Sequence, residues 1–150
     1  MLLLWALAGC DSASATPPDA AADGAVDAPA PCFPLDGGGA SDGGVSFSAD
    51  LLPFFTSICA NAECHGGRAG GLDLTAGREY TSLVGVAAME CADGRRYVEP
   101  GHPESSYIVD KLRGSICRCS GERMPLGGPY FTDGEIALFM DWIAEGAPNN

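Results

Sequence analysis

The apolar positions of this chain change rhythm twice. Residues 2–8 are an unbroken apolar run. Between Asp11 and Ser46 large apolar side chains are scarce, and from Phe47 onward they return at helical spacing. Phe47, Leu51, Phe54, Phe55 and Ile58 predict a first helix ending at Cys59, with Ser48 as N-cap and Asp50 in the first turn. Pro53 fits only near a helix start. Residues 80–84 predict one or two helical turns closed by Gly85. A further helix is expected from Glu104, Ser105 and Ser106. Tyr107, Ile108, Val109 and Leu112 form its apolar side and Gly114 its stop. Thr132 and Glu135 match the capping box, and Ile136, Phe139, Met140 and Ile143 continue as an i, i+3, i+4, i+7 stripe up to Gly146. The expected fold class is all-α, a small domain with three recognisable helices and long loops.

Composition divides the chain. Residues 11–46 contain six Asp and no Lys, Arg or Glu among many Ala, Gly, Pro and Ser. Such a segment buries too little apolar surface to offset the entropy of ordering, so it reads as a disordered tether. As a flexible coil it would span about 30–36 Å. The apolar run at residues 2–8 is shorter than the roughly 20 residues a membrane-spanning helix needs. Leu7, Ala8, Gly9 and Cys10 resemble a bacterial lipobox, which would leave Cys10 carrying lipid. The run is short for a signal peptide and lacks a positive n-region, which puts the expected translation start upstream. The expected organisation is a lipoprotein signal segment over 1–9, a tether over 10–46 and a folded domain over 47–150.

All eight basic residues lie from Arg68 onward, beside 14 acidic residues in the domain. No basic phosphate-binding surface is present, which argues against nucleic acid as a partner. Seven cysteines in 150 residues point to an exported protein.

The candidate chemistry lies in Cys59-Ala60-Asn61-Ala62-Glu63-Cys64-His65-Gly66-Gly67. Two thiols followed at once by an imidazole are the elements of a haem-attachment signal, here with four residues between the cysteines instead of two. An exported protein could also bridge Cys59 to Cys64. A zinc site would need a fourth donor from Cys91, Cys117 or Cys119. Met124 stands on an irregular loop before Pro125 and outside any periodic apolar run, which makes it the candidate second axial ligand. Met89 and His102 are the competitors. His102, between Gly101 and Pro103, reads as part of a surface turn, and Met140 reads as core.

The run resembles the haem-attachment site of a class I cytochrome c, in the form found in bacterial predicted lipoproteins with a single cytochrome-c-like domain. The resemblance extends to Gly71-Leu72-Asp73-Leu74, to Pro100-Gly101-His102-Pro103-Glu104-Ser105-Ser106-Tyr107, to Arg123-Met124-Pro125-Leu126-Gly127-Gly128 and to Trp142-Ile143-Ala144-Glu145-Gly146-Ala147. It covers roughly residues 47–147 and implies a cytochrome c-like fold whose first and last helices pack together. It implies haem c held covalently by Cys59 and Cys64, with His65 and Met124 on the iron. Four cysteines then remain: Cys32, Cys91, Cys117 and Cys119. A bridge between Cys117 and Cys119 would be badly strained, which leaves two pairings, each joining Cys32 and Cys91 to the 117–119 loop. The implied function is one-electron transfer between redox protein partners, with the domain exported and lipid-anchored in the bacterial cell envelope. An iron with both axial positions filled is a carrier rather than a catalyst. The alternative is a non-haem, disulfide-stapled surface or binding module.

Overall fold

A computed structural model describes residues 43–116 and 119–150. Cys10, Cys32 and Cys117 lie outside the described residues, as do the expected signal segment and all but the last residues of the expected tether. Four helices, α1 (47–59), α2 (Glu79–Leu83), α3 (Tyr107–Arg113) and α4 (Asp133–Ala144), carry the fold. Short 3-10 turns at His65–Gly67, Ala69–Gly71 and Pro103–Ser105 join them. Isolated bridges pair Val84 with Val98 and Ala87 with Arg96, and there is no strand among the described residues. The class is all-α.

Helix α1 is wound unevenly. Wide π turns at Phe47–Leu51 and Phe55–Cys59 flank an α turn at Leu52–Phe54. Pro53 sits in that middle turn. It has no N–H to donate and its ring crowds the preceding carbonyls, so wider turns on either side accommodate it. The cap is Ser46 rather than the expected Ser48: its hydroxyl accepts from the Ala49 N–H at 3.2 Å. Order reaches back further still, since Val45 is 2% exposed and its N–H donates to the Glu145 carboxylate.

Helix α3 also starts later than expected. Ser106 turns the chain instead of winding in the helix. Its hydroxyl accepts from the Glu99 N–H and donates to the His102 carbonyl, both at 2.9 Å. Gly114 then closes α3 with φ 80°. Helix α4 begins as expected, with the Thr132–Glu135 capping box complete.

The core lies between α1 and α4. Phe47 packs on Trp142 with ring centroids 5.4 Å apart, and Phe55 meets Phe139 edge-on at 5.7 Å. Leu51, Trp142 and Ile143 are fully buried. Each such side chain contributes about 1.5–3 kcal/mol of burial. The C-terminus returns to α1: the Ser48 N–H donates to the Asn150 carbonyl and the Phe47 N–H to the Asn150 side chain. The first and last helices thus form one layer. The two long loops that close the other side of the domain carry the site.

Candidate cofactor site

The loop after α1 folds back on itself. The N–H groups of Cys64 and Gly66 both donate to the Asn61 carbonyl at 3.0 Å. The Cys64 carbonyl accepts from Gly67 and Ala69, and the His65 carbonyl from Leu74 at 3.0 Å. The two glycines are required by contact. A Cβ on Gly66 would stand 2.2 Å from the Ala60 carbonyl oxygen, and one on Gly67 would stand 2.2 Å from that of Ala62. The four-residue gap is thus taken up as a closed turn that keeps Cys64 and His65 adjacent to the end of α1. Asp73 tightens its far side by accepting from the Thr75 hydroxyl and N–H and from Arg68. Those donors hold its pKa at about 2.

His65 is oriented by this loop. Its Nδ1 lies 2.9 Å from the Ala69 carbonyl, which can only accept. Nδ1 therefore donates, which in the neutral ring leaves the Nε2 lone pair for a metal. Cys59 and Cys64 are both free thiols, each half-buried. Burial, with Cys64 beside it, pushes the Cys59 thiol up to about 11, so it is protonated at neutral pH.

Met124 arrives from the other side. Its N–H donates to the Lys111 carbonyl at 2.8 Å, and Arg123 Nε donates to the Leu112 carbonyl at 3.0 Å. These are last-turn carbonyls of α3, which have no partner within the helix. The Arg123 guanidinium also lies 4.1 Å from the Tyr130 ring centroid. Behind this loop, Cys91 is bonded to Cys119 and the Tyr107 hydroxyl donates to the Ser120 carbonyl. Of the two expected pairings, the one that contains this bond would also join Cys32 to Cys117, which lie outside the described residues.

Between the two loops is a narrow cleft of about 60 Å³, partly open to solvent. Phe55 of α1, Phe139 of α4, Ile108 and Leu112 of α3, and Leu72 and Leu74 form its apolar wall. Cys59, His65 and Met124 all line it, although 65 residues separate the first from the last. A second cleft of about 300 Å³ shares Cys59, His65 and Met124 as a common wall and adds Cys64. Its rim carries Ile58 and Leu126, the latter 70% exposed. The larger of the two is at the low end of the range for small-ligand pockets, so a haem would have to part the two loops.

The competing ligands are elsewhere. Met89 is 78% exposed and lines a separate polar hollow with Arg68 and Arg78. His102 pairs with Glu104 at 3.0 Å. Among the described residues, the cluster with metal-ligand spacing is Cys91, Asp93 and Cys119, and it contains the disulfide, not Cys59 or Cys64. Four polar residues of the cleft were not foreseen in the sequence: Glu90, Tyr97, Tyr107 and Lys111. They come from three separate segments, and no spacing connects them.

The donor set fits a covalently held haem. Cys59, an imidazole with its second nitrogen fixed and a thioether sulfur line one apolar cleft, and the second thiol, Cys64, lines the adjoining one. No family model, curated protein or solved structure matches the chain. No helix among the described residues is long and apolar enough to cross a membrane.

Proposed function

We propose that this domain is a monohaem c-type cytochrome that carries single electrons. The observation that carries this reading is the convergence of Cys59, His65 and Met124 on the same apolar cleft. Cys59 and Cys64 would hold the cofactor through thioethers, and His65 Nε2 and Met124 Sδ would bind its iron. The bound haem would supply a one-electron couple, which a thioether ligand shifts upward relative to a second histidine. The chain's own residues give the cleft an apolar wall, hold His65 Nδ1 on the Ala69 carbonyl and hold Met124 on the end of α3. With His65 and Met124 both committed to the iron, the domain would act as a carrier between redox protein partners.

The cytochrome c-like fold belongs to the same proposal, supported by the packing of α1 on α4 beside the cleft. So does the setting: exported, tethered through 10–46 and anchored to a bacterial envelope membrane by lipid on Cys10. The alternative, a disulfide-stapled surface module, needs a Cys59–Cys64 bridge, and the two free thiols count against it.

Potentiometric titration of the protein matured in a cytochrome-c-competent periplasm tests the function. A single reversible wave is expected, following a one-electron slope of about 59 mV per tenfold change in the redox ratio. A colourless protein with no wave would contradict it.

A further inference from the structure

We propose that Lys111 is the anion seat of the cleft, where its ammonium takes a carboxylate of the bound porphyrin. This inference rests on the haem reading above and adds to it a residue that fixes how the ligand is turned.

The argument is a census of donors. The other polar side chains along the inner cleft are already engaged or cannot donate. His65 Nδ1 is held by Ala69. The Tyr97 hydroxyl donates to Glu90 at 3.1 Å and the Tyr107 hydroxyl to Ser120. Glu90, as a carboxylate, only accepts. Lys111 is the one charged donor of the inner cleft, and the carboxylates that act on it, Glu90 and Glu122, make no contact ion pair with it. No carboxylate lies within 4.0 Å of its ammonium among the described residues. Its nearest polarisable neighbour is the Tyr107 ring, 5.6 Å away.

Gly121 makes room for this ammonium. A Cβ built there would stand 2.5 Å from Lys111 Nζ and 3.3 Å from the Tyr107 hydroxyl. With φ +112°, the position already favours glycine. The ammonium therefore sits where both clefts share a wall, half-buried against aromatic and apolar groups. Burial lowers the Lys111 pKa, while Glu90 and Glu122 act in the opposite sense. Holding a half-buried cation there with no anion in direct contact is unfavourable. An anion carried in by the ligand would relieve it, and haem carries two carboxylates on one edge of an otherwise apolar plane.

The test uses the full chain produced without haem-attachment machinery. It is titrated, with fluorescence as the readout, with zinc protoporphyrin IX and separately with its dimethyl ester. The quantity read is the ratio of diacid to diester affinity. One charge-assisted contact predicts that this ratio falls about tenfold or more from the wild type to Lys111→Met. Lys111→Arg should retain it, and Gly121→Ala, which crowds the ammonium, should lower it. Melting curves for each variant confirm that it folds. A ratio unchanged in Lys111→Met overturns the seat while leaving the haem reading intact. Failure of the wild type to bind either porphyrin overturns both.

Discussion

The two loops that face each other across the cleft are built in opposite ways. The loop carrying Cys64 and His65 is closed by its own backbone: Asn61, Cys64 and His65 carbonyls accept from N–H groups no further along than Leu74. The loop carrying Met124 makes its main bonds to distant chain. It rests on the last carbonyls of α3, on the Tyr107 hydroxyl and on the Cys91–Cys119 bond. The first loop presents a preset donor. The second is positioned by whatever positions α3. A ligand held from both sides would thus have one fixed anchor and one dependent on tertiary structure.

That contrast can be broken from either side. The largest effect expected is at Gly66. Its alanine variant places a methyl group 2.2 Å from a backbone oxygen, which cannot move without opening the loop. A loss of about 3–4 kcal/mol is expected by denaturant unfolding. Gly77→Ala makes a control, because that position has φ +80° and nothing within 4 Å. It should lose only about 1 kcal/mol, from backbone strain alone. Equal losses at the two positions would show that contact does not hold the His65 loop.

Removing Cys91 and Cys119 together should weaken the opposite loop. The bond closes a separation of 28 residues, for which about 3 kcal/mol is expected. Amide exchange should then rise at Met124 and its neighbours while Cys64, Gly66 and Leu74 stay protected. Matching increases in both loops would refute their independence.

A smaller effect sharpens the picture of the first loop. Cys59 is held at about 11 against an ordinary 9.0, so below pH 9 its thiolate is about a hundredfold scarcer than that of an unperturbed thiol. Its alkylation by iodoacetamide in the folded, haem-free protein should be slower than that of a denatured control by about that factor. The gap should close only as pH rises toward 11. Equal rates at pH 8 would mean that Cys59 does not face the buried cleft.

The same contrast explains what the sequence made legible. The Cys59–Gly67 loop could be read because its determinants are adjacent: thiol, thiol, imidazole and two glycines within nine residues. The start of α4 could be read for the same reason, since Thr132 and Glu135 cap each other across a single turn. The start of α3 was misplaced because Ser106 bonds back to Glu99 and His102, a use of its hydroxyl that no helical pattern signals. The cap of α1 was misplaced because Pro53 forces wide turns, and spacing rules assume regular ones. Met124 stood out only by negation, as a methionine outside any stripe. What aims it is the unsatisfied end of α3, a tertiary fact. Nothing in the local sequence marks Lys111, and its place in the cleft depends on Gly121 and Tyr107 as much as on itself.

The measurement that bears most directly on the central claim is acid–acetone extraction followed by a pyridine haemochrome spectrum, on protein matured where haem attachment is active. Covalent attachment through Cys59 and Cys64 predicts that the haem stays with the protein and gives a c-type band, and that a Cys59→Ala, Cys64→Ala double variant releases it. Haem that leaves the wild-type protein on extraction, or a protein that never acquires any, would contradict the account.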